Sequence, residues 1–262
     1  TPSGYLPFNQ TLAEVLDAFR PAVVSFHFGL PAPELLARVK ALGCKVLSSA
    51  TTLEEAVWLE KQGVDAIIAQ GAEAGGHRGM FLTDDLTTQV GTFALLPQIV
   101  AAVRVPVIAA GGIATGEAIL AMRALGADGV QVGTRFALTE ESSASEVFKE
   151  YCLHLKEGDT RLLLKKLSPV RLARGNFQQA VAAAEAAGAT EEDLRILLSR
   201  GRAKRGIFEG DLEEGELEIG QASALLNEKG IQTVAEVMDE LVTGYQRACE
   251  TLAANVCERW DV

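Results

Sequence analysis

The histidine at position 77 lies in a loop that is unusually rich in glycine. The segment AQGAEAGGHRG, residues 69–79, places four glycines around this one imidazole. An imidazole titrates close to neutral pH and can act as a base or as a hydrogen-bond donor. Glycine allows a positive φ or a very close approach of the backbone to another group. The pattern predicts that His77 is catalytic and lies beside a bound molecule; a loop histidine that only bonds to backbone is the alternative.

Two further glycine loops follow short apolar segments. Gly111 and Gly112 come after VIAA, and Gly133 and Thr134 come after VQV. Glycine at such a position exposes backbone N–H groups to an anion, and a threonine can add a hydroxyl. Parallel barrels commonly bind a phosphate at their last two loops. These residues therefore predict a phosphate site, although glycines that merely end strands would give the same pattern.

Five short segments rich in Val, Ile and Ala are predicted to be the strands that position these loops. They are continuously apolar, which is typical of a parallel sheet buried on both faces. Helical patterns alternate with them, which indicates an α/β fold. No G-x-G-x-x-G sequence follows a strand, so a (β/α)8 barrel is favoured over a dinucleotide-binding fold. The segments are AVVSFHF (22–28), KVLSS (45–49), DAIIAQ (65–70), PVIAAG (106–111) and DGVQVGT (128–134).

The sequence after residue 135 has a polar, helical pattern. It contains a glycine-punctuated acidic loop, EGDLEEGELEIGQASALL (209–226), and ends in a long amphipathic helix. We therefore divide the chain into residues 1–136, the C-terminal part of a barrel, and residues 137–262. The second part is expected to be a helical lid with C-terminal helices that pack on the barrel.

Composition narrows the class of partners and the location. The net charge of −11 disfavours nucleic acid and anionic membranes as partners. No segment is apolar enough to cross a membrane and no leader pattern opens the sequence, so a cytoplasmic location is expected. The four cysteines lack CxxC spacing and the three histidines are far apart, which predicts no metal site. Of the other histidines, His27 follows a strand end, and His154 is expected on the surface.

Three segments together closely resemble the nitronate monooxygenase family, formerly called 2-nitropropane dioxygenases, and especially its bacterial class I branch. They are the His77 loop, VIAAGGIATGEAILAMRALGADGVQVGTRF and EGDLEEGELEIGQASALL. The resemblance runs from about residue 20 to residue 226 and implies an FMN-dependent (β/α)8 TIM barrel with a helical lid. Only barrel strands 4–8 are expected in this chain, because the Ala-Pro-Met loop and the Asn loop of the family's N-terminal portion are not in the sequence.

The resemblance also implies a role for each matching residue. His77 would be catalytic, and His27 and Ser223 would lie on the substrate side. The segment SPVRLARGN (168–176) is similar to the family's Arg/Asn loop. The residues that would bind FMN are Gln70, Gly71, Gly75, Gly76, Gly111, Gly112, Gly133, Thr134 and Gln221.

The implied reaction is the oxidation of an alkyl nitronate, with propionate 3-nitronate as the expected substrate. O2 is the co-substrate, and the products are nitrite and a carbonyl compound. His77 would deprotonate a neutral nitroalkane, or orient a substrate that is already an anion. The oligomeric state is open, with a homodimer as one expectation.

Two other functions stay open. Flavin-dependent enoyl-ACP reductases and NADH:quinone reductases share the glycine–histidine loop but consume NAD(P)H. The strand end with Ser48 and Ser49, together with EGELEIGQASALL, favours the monooxygenase. The other alternative is a non-catalytic fragment that binds flavin or phosphate, against which the intact His77 argues.

Overall fold

The structure is a computed structural model that describes the backbone of residues 7–260 and the side chains of residues 7–254. Its first part alternates helices with parallel strands. These elements are α1 (Gln10–Phe19), β1 (Val23–Phe26), α2 (Pro33–Ala41), β2 (Lys45–Ala50), α3 (Leu53–Lys61), β3 (Ala66–Gln70), the two-residue strand β4 (Gly76–His77), a 3-10 turn (Leu86–Thr88), α4 (Thr92–Ala102), β5 (Val107–Ala110), α5 (Gly116–Ala124) and β6 (Gly129–Gln131).

The second part is mixed rather than helical. Its elements are α6 (Thr134–Ala137), α7 (Glu146–Leu153), β7 (Thr160–Leu163), β8 (Val170–Ala173), α8 (Asn176–Ala186), α9 (Glu191–Leu198), a π-helical turn (Lys204–Phe208), a 3-10 turn (Gln221–Leu225) and α10 (Val234–Trp260).

A five-stranded parallel sheet with the order β1-β2-β3-β5-β6 forms the centre of the first part. All five predicted strands are therefore confirmed, and so is the α/β class. Because the strands are parallel, their carboxyl ends meet at one edge, where Gln70 of β3 pairs in register with Ala110 of β5. Among residues 7–260, neither β1 nor β6 has a second neighbouring strand. The (β/α)8 barrel of which these would be strands 4–8 stays a prediction.

Helices pack on the parallel sheet, and α3 among them has a side-chain cap at its start. The core includes Leu59 of α3 and Leu96 of α4, which pack against the sheet residue Ile67. The Thr52 hydroxyl accepts a hydrogen bond from the Glu55 N–H at the start of α3. Helix α4 continues through Pro97, which is its sixth residue rather than one near its start.

A second sheet in the order β4-β8-β7 is antiparallel and joins the His77 loop to residues 160–173. The expectation that residues 137–262 are helical is therefore incomplete, since β7 and β8 lie in this region. Each is only four residues long and carries an arginine, so the apolar pattern is too short to separate a strand from a helical turn. Farther along, α10 packs on α5, and a side chain at Gly116 would lie 2.0 Å from the Tyr245 nitrogen.

Candidate active site

His77 is held by backbone pairing at the carboxyl edge of the parallel sheet. It pairs with Val170 of β8, and the next residue donates its N–H to the Pro169 carbonyl at 2.7 Å. The His77 side chain is 30% exposed. Burial lowers its pKa below the usual value of 6.5. The imidazole is therefore neutral at pH 7 and able to accept a proton.

Two other predicted site residues bind the carbonyl oxygen of His77. Gln70 donates from Nε2 at 3.0 Å, and its Oε1 accepts the Gly79 N–H at 2.8 Å. His27 Nε2 lies 3.2 Å from the same carbonyl. The structure thus brings Gln70, His27 and His77 together, as the sequence predicts.

The hydrogen bonds of His27 define its tautomer. A carbonyl only accepts, so Nε2 carries the hydrogen, and Nδ1 accepts from the Ser49 hydroxyl at 3.0 Å. Burial lowers the pKa of His27, which agrees with a neutral ring. Both ring nitrogens are engaged within the protein. This geometry supports a role for His27 in holding the His77 backbone. Since His27 is also exposed, the substrate contact expected from the sequence stays a prediction.

Arg78 anchors the loop from inside and was missed by the sequence analysis. Its side chain is fully buried and donates to the Gly71 and Gln70 carbonyls at 2.6 and 2.7 Å. A third bond reaches Gln89 at 3.0 Å. Burial lowers its pKa to about 10, so it stays charged at neutral pH. A charged residue within a glycine run was the signal that could have identified it.

The glycines of the loop are required by the protein's own backbone. A Cβ at Gly71 would lie 1.9 Å from the Thr92 hydroxyl, and one at Gly75 would lie 2.3 Å from the Gly220 nitrogen. Gly76 has a φ of +71°. The close approach that the sequence suggested is real, and at Gly71 and Gly75 the neighbouring group is another segment of the chain.

The loop after β6 has open space beside it, whereas the loop after β5 packs on the glycine loop, where a Cβ at Gly111 would lie 3.1 Å from the Ala74 nitrogen. Gly111 and Gly112 have φ values of +107° and +73°. A Cβ at Gly133 would meet no protein atom within 4 Å. The Thr134 hydroxyl accepts the Gly220 N–H at 3.1 Å and keeps its own hydrogen to donate. Because β5 and β6 are neighbours, the two loops lie side by side. Their backbone N–H groups and the Thr134 hydroxyl are the kind of donors that would bind a phosphate group.

The partial positive charge at the nearby start of α4 is already neutralised by a carboxylate of the protein. The Glu73 carboxylate accepts from the Thr92 N–H and from its hydroxyl, both at 2.9 Å. An internal carboxylate thus satisfies the positive end of this helix. The start of α4 is therefore not free to bind a ligand anion.

Residues 216–223, which we call the cover segment, cross over the glycine loop. The Ala173 N–H donates to the Leu217 carbonyl at 2.8 Å, and the Gln221 N–H donates to the Glu73 carbonyl at 3.0 Å. The Gln221 side chain is exposed. Ser223 is only 1% exposed, and its hydroxyl donates to the Gly220 carbonyl at 3.0 Å. This placement supports a role for Ser223 in holding the turn rather than in contacting substrate.

Two carboxyl groups of the cover segment were also missed by the sequence analysis. Glu218 Oε2 lies 3.8 Å from His77 Nδ1, its side chain is 23% exposed, and burial raises its pKa to about 7. Glu216 is 5% exposed, and burial, reinforced by the nearby Glu218, raises its pKa to about 8. Within the described part of the chain, Glu216 Oε1 has no hydrogen-bond partner.

An exposed aromatic ring completes the surroundings of His77. The Phe28 ring lies edge-on to His27 and to His77, with centroid distances of 4.6 and 6.1 Å. In the SPVRLARGN segment, Arg171 donates to the Ala72 carbonyl at 2.7 Å and so joins β8 to the glycine loop. His154 is exposed, as predicted, and its Nδ1 lies 2.7 Å from the Glu150 carbonyl.

No group of three or more His, Cys, Asp or Glu side chains among the described residues could hold a metal ion. No helix between residues 7 and 260 is both long and apolar enough to cross a membrane.

The site therefore joins the glycine loops after β5 and β6, which we call the glycine cradle, to a partly exposed histidine on an α/β scaffold. The model of the family described as "Nitronate monooxygenase" matches residues 3–244. The chain belongs to this family.

Curated relatives agree with this assignment. A probable nitronate monooxygenase from Staphylococcus aureus strain Newman is 47% identical over 154 residues, which are 58% of this chain and 43% of that protein. A protein of the same name from Staphylococcus haemolyticus is 47% identical over 155 residues. The alignments thus span less than half the length of these relatives.

Solved structures agree in fold. FabK from Thermotoga maritima has a TM-score of 0.81 and 32% identity, over 93% of this chain and 74% of that one. The nitroalkane oxidase from Streptomyces ansochromogenes has a TM-score of 0.78 and 34% identity, over 92% of this chain and 69% of that one.

Proposed function

We propose that this chain oxidises alkyl nitronates with O2 in an FMN-dependent reaction, with propionate 3-nitronate as the physiological substrate. The products are nitrite and a carbonyl compound. One observation carries the proposal. The His77 ring is partly exposed, while its backbone is fixed by side-chain bonds from His27 and Gln70. A ring held in this way at the same edge of the sheet as the glycine cradle is arranged to orient a small substrate.

The residues that would hold FMN lie on two sides of the glycine loop. The loops of Gly111–Gly112 and Gly133–Thr134 would bind the phosphate through backbone N–H groups and the threonine hydroxyl. The backbone of Gly71, Gly75 and Gly76 would lie towards the rest of the cofactor, together with Gln70 and Gln221. Bound FMN supplies an electron acceptor that O2 can reoxidise.

His77 has one of two roles, which depend on the charge of the substrate. With a neutral nitroalkane, the neutral imidazole accepts the proton from the carbon next to the nitro group. Burial keeps the imidazole unprotonated at pH 7, which makes it available as a base. With a nitronate, that proton is already gone, and the ring N–H donates a hydrogen bond to the anion. The Phe28 ring, 6.1 Å from that of His77, would provide an apolar contact for the alkyl part of the substrate.

A reductase that consumes NAD(P)H is the second candidate function. The TM-score is 0.81 to FabK and 0.78 to the nitroalkane oxidase. The fold alone therefore does not separate the two candidate functions. A cytoplasmic location and a homodimer are further proposals that follow from the resemblance to the family.

The test uses the purified chain with FMN, propionate 3-nitronate and O2, with and without NADH. We expect flavin absorbance to stay with the protein through gel filtration, and nitrite release and O2 uptake to depend on FMN but not on NADH. Oxidation of NADH without nitrite release would establish the reductase instead. Retained flavin with neither activity would identify a flavin-binding fragment, and no retained flavin would contradict the proposed site.

A further inference from the structure

The cover segment places a carboxyl group against the candidate catalytic histidine. Glu218 Oε2 lies 3.8 Å from His77 Nδ1, and both side chains are partly exposed on the same side of the glycine loop. A Cβ at Gly76 would lie 2.8 Å from Glu218 Oε2, so the carboxyl group reaches over the loop backbone at the residue before His77. Glycine at position 76 therefore leaves the space that this contact needs.

The other ionisable groups around this pair either bind other parts of the protein or are neutral at pH 7. Arg78 and Arg171 donate to backbone carbonyls of residues 70–72. Glu73 binds the start of α4. His27 is bonded through both nitrogens. Glu216 is buried beside Glu218, and its raised pKa of about 8 keeps it neutral at pH 7.

Glu218 is thus the carboxyl group within ion-pair distance of His77 among the described residues. We propose that Glu218 sets the basicity of His77 and, through its own charge, determines whether the site favours a neutral nitroalkane or an anionic nitronate. The part of this proposal that concerns substrates rests on the proposed function. The part that concerns the coupling of the two side chains does not depend on it.

The chemistry follows from the charges of the two groups. When His77 removes a proton from the carbon of a nitroalkane, the C–H electron pair moves into the nitronate and the ring becomes an imidazolium. An ionised Glu218 stabilises that imidazolium and makes His77 a stronger base. The same negative charge repels a substrate that arrives as an anion. Burial raises the pKa of Glu218 to about 7, so this change of charge falls within the neutral range.

The first test follows the ring signals of the histidines by NMR during a pH titration of the full chain. With only three histidines, His154 serves as an internal reference for His77. In the unaltered chain we expect the His77 signal to report two coupled steps. In the Glu218→Gln variant we expect one step, with the pKa of His77 lowered by about one unit or more.

The matched control is Glu228→Gln, which makes the same chemical change at an exposed position ten residues farther along. It should leave the His77 titration unchanged. A His77 curve that is the same in the Glu218→Gln variant as in the unaltered chain would overturn the proposal. The two-step His77 titration is measured on the unaltered chain. This part of the test therefore remains valid even if the Glu218→Gln variant folds poorly.

The second test separates the two substrates. For the FMN-loaded Glu218→Gln variant at pH 8, we expect KM for propionate 3-nitronate to fall roughly tenfold, because a negative charge near the anion is gone. The rate with a neutral nitroalkane should fall as well, since His77 is a weaker base. Unchanged KM values with coupled NMR curves would overturn the role in specificity. Coupled curves in a protein that releases no nitrite would contradict the proposed function and leave the coupling standing.

Discussion

The two sides of the candidate site differ in how fully their polar side chains are hydrogen-bonded. On the side of the parallel sheet, the polar side chains are satisfied, because Gln70, Glu73 and Arg78 each make two or more hydrogen bonds. In the cover segment, Glu216 Oε1 has no hydrogen-bond partner among the described residues. Glu218 Oε2 lies 3.8 Å from His77 Nδ1. The sheet side therefore fixes positions, whereas the cover segment supplies groups whose charge changes near neutral pH.

Replacement of His77 by asparagine is expected to have the largest effect. Asparagine keeps the backbone bonds of the sheet side but cannot accept a proton from a nitroalkane. Nitrite release from a neutral nitroalkane should fall by about 10²- to 10⁴-fold, and turnover of the nitronate should fall less. Initial rates measure both effects.

The control for this prediction is His154→Asn, which removes an exposed imidazole outside the site. It should match the unaltered chain in both assays. Normal nitroalkane turnover by His77→Asn would show that another group is the base.

Gly75→Ala tests the packing between the glycine loop and the cover segment. The added Cβ would lie 2.3 Å from the Gly220 nitrogen and 2.4 Å from the Ile219 carbonyl carbon, and backbone atoms cannot move aside cheaply. We expect a loss of about 1–3 kcal/mol in the free energy of unfolding. Denaturant melts would measure it. An unchanged midpoint would mean that the cover segment does not pack on the loop as described.

Glu216→Gln is expected to alter how stability depends on pH. The ordinary pKa of 4.5 applies to the unfolded chain, and burial raises the folded value to about 8. The folded state therefore holds a proton that the unfolded state releases, so stability falls as pH rises from 4.5 to 8. Each pKa unit corresponds to about 1.4 kcal/mol, which makes the total a few kcal/mol.

Thermal melts between pH 5 and pH 9 would measure this effect. The Tm of the unaltered chain should decline across the range more steeply than that of Glu216→Gln, with Glu228→Gln declining like the unaltered chain. Parallel curves for all three proteins would show that Glu216 is not buried in the way described.

Gly133→Ala is expected to have a smaller effect, which is confined to the affinity for FMN. The backbone at this position has a φ of −99°, which alanine adopts, and the added Cβ meets no protein atom within 4 Å. The Tm should therefore stay the same, while FMN affinity falls roughly tenfold because the methyl group occupies the cradle. Fluorescence titration with FMN measures the Kd. Unchanged affinity would mean that the FMN phosphate does not bind at this loop.

The sheet side could be predicted from the sequence because its signals are local. The five strands are continuous apolar segments, and the glycines follow them directly. The reason for two of the glycines could not be predicted in the same way. Gly71 and Gly75 meet Thr92 and Gly220, which lie 21 and 145 residues farther along the chain.

The cover segment could not be predicted because burial there is set by long-range packing. Its glutamates lie in an acidic run, EGDLEEGELEIG, that looks like a solvated loop. One local signal does exist. Leu217 and Ile219 alternate with Glu216 and Glu218, and both apolar residues lie in a buried cluster. Such alternation is typical of extended chain with one face in a core, but it does not reveal that the acidic face is covered too.

The central claim is that the glycine cradle of the sheet and His77 form one site. Titration of FMN into the full chain, followed through the NMR ring signals of its histidines, tests this claim most directly. We expect the His77 signal to shift and to saturate with the same Kd as the flavin fluorescence, while the His154 signal stays in place. Saturable binding of FMN that leaves the His77 signal unmoved, or that shifts both signals equally, would contradict it.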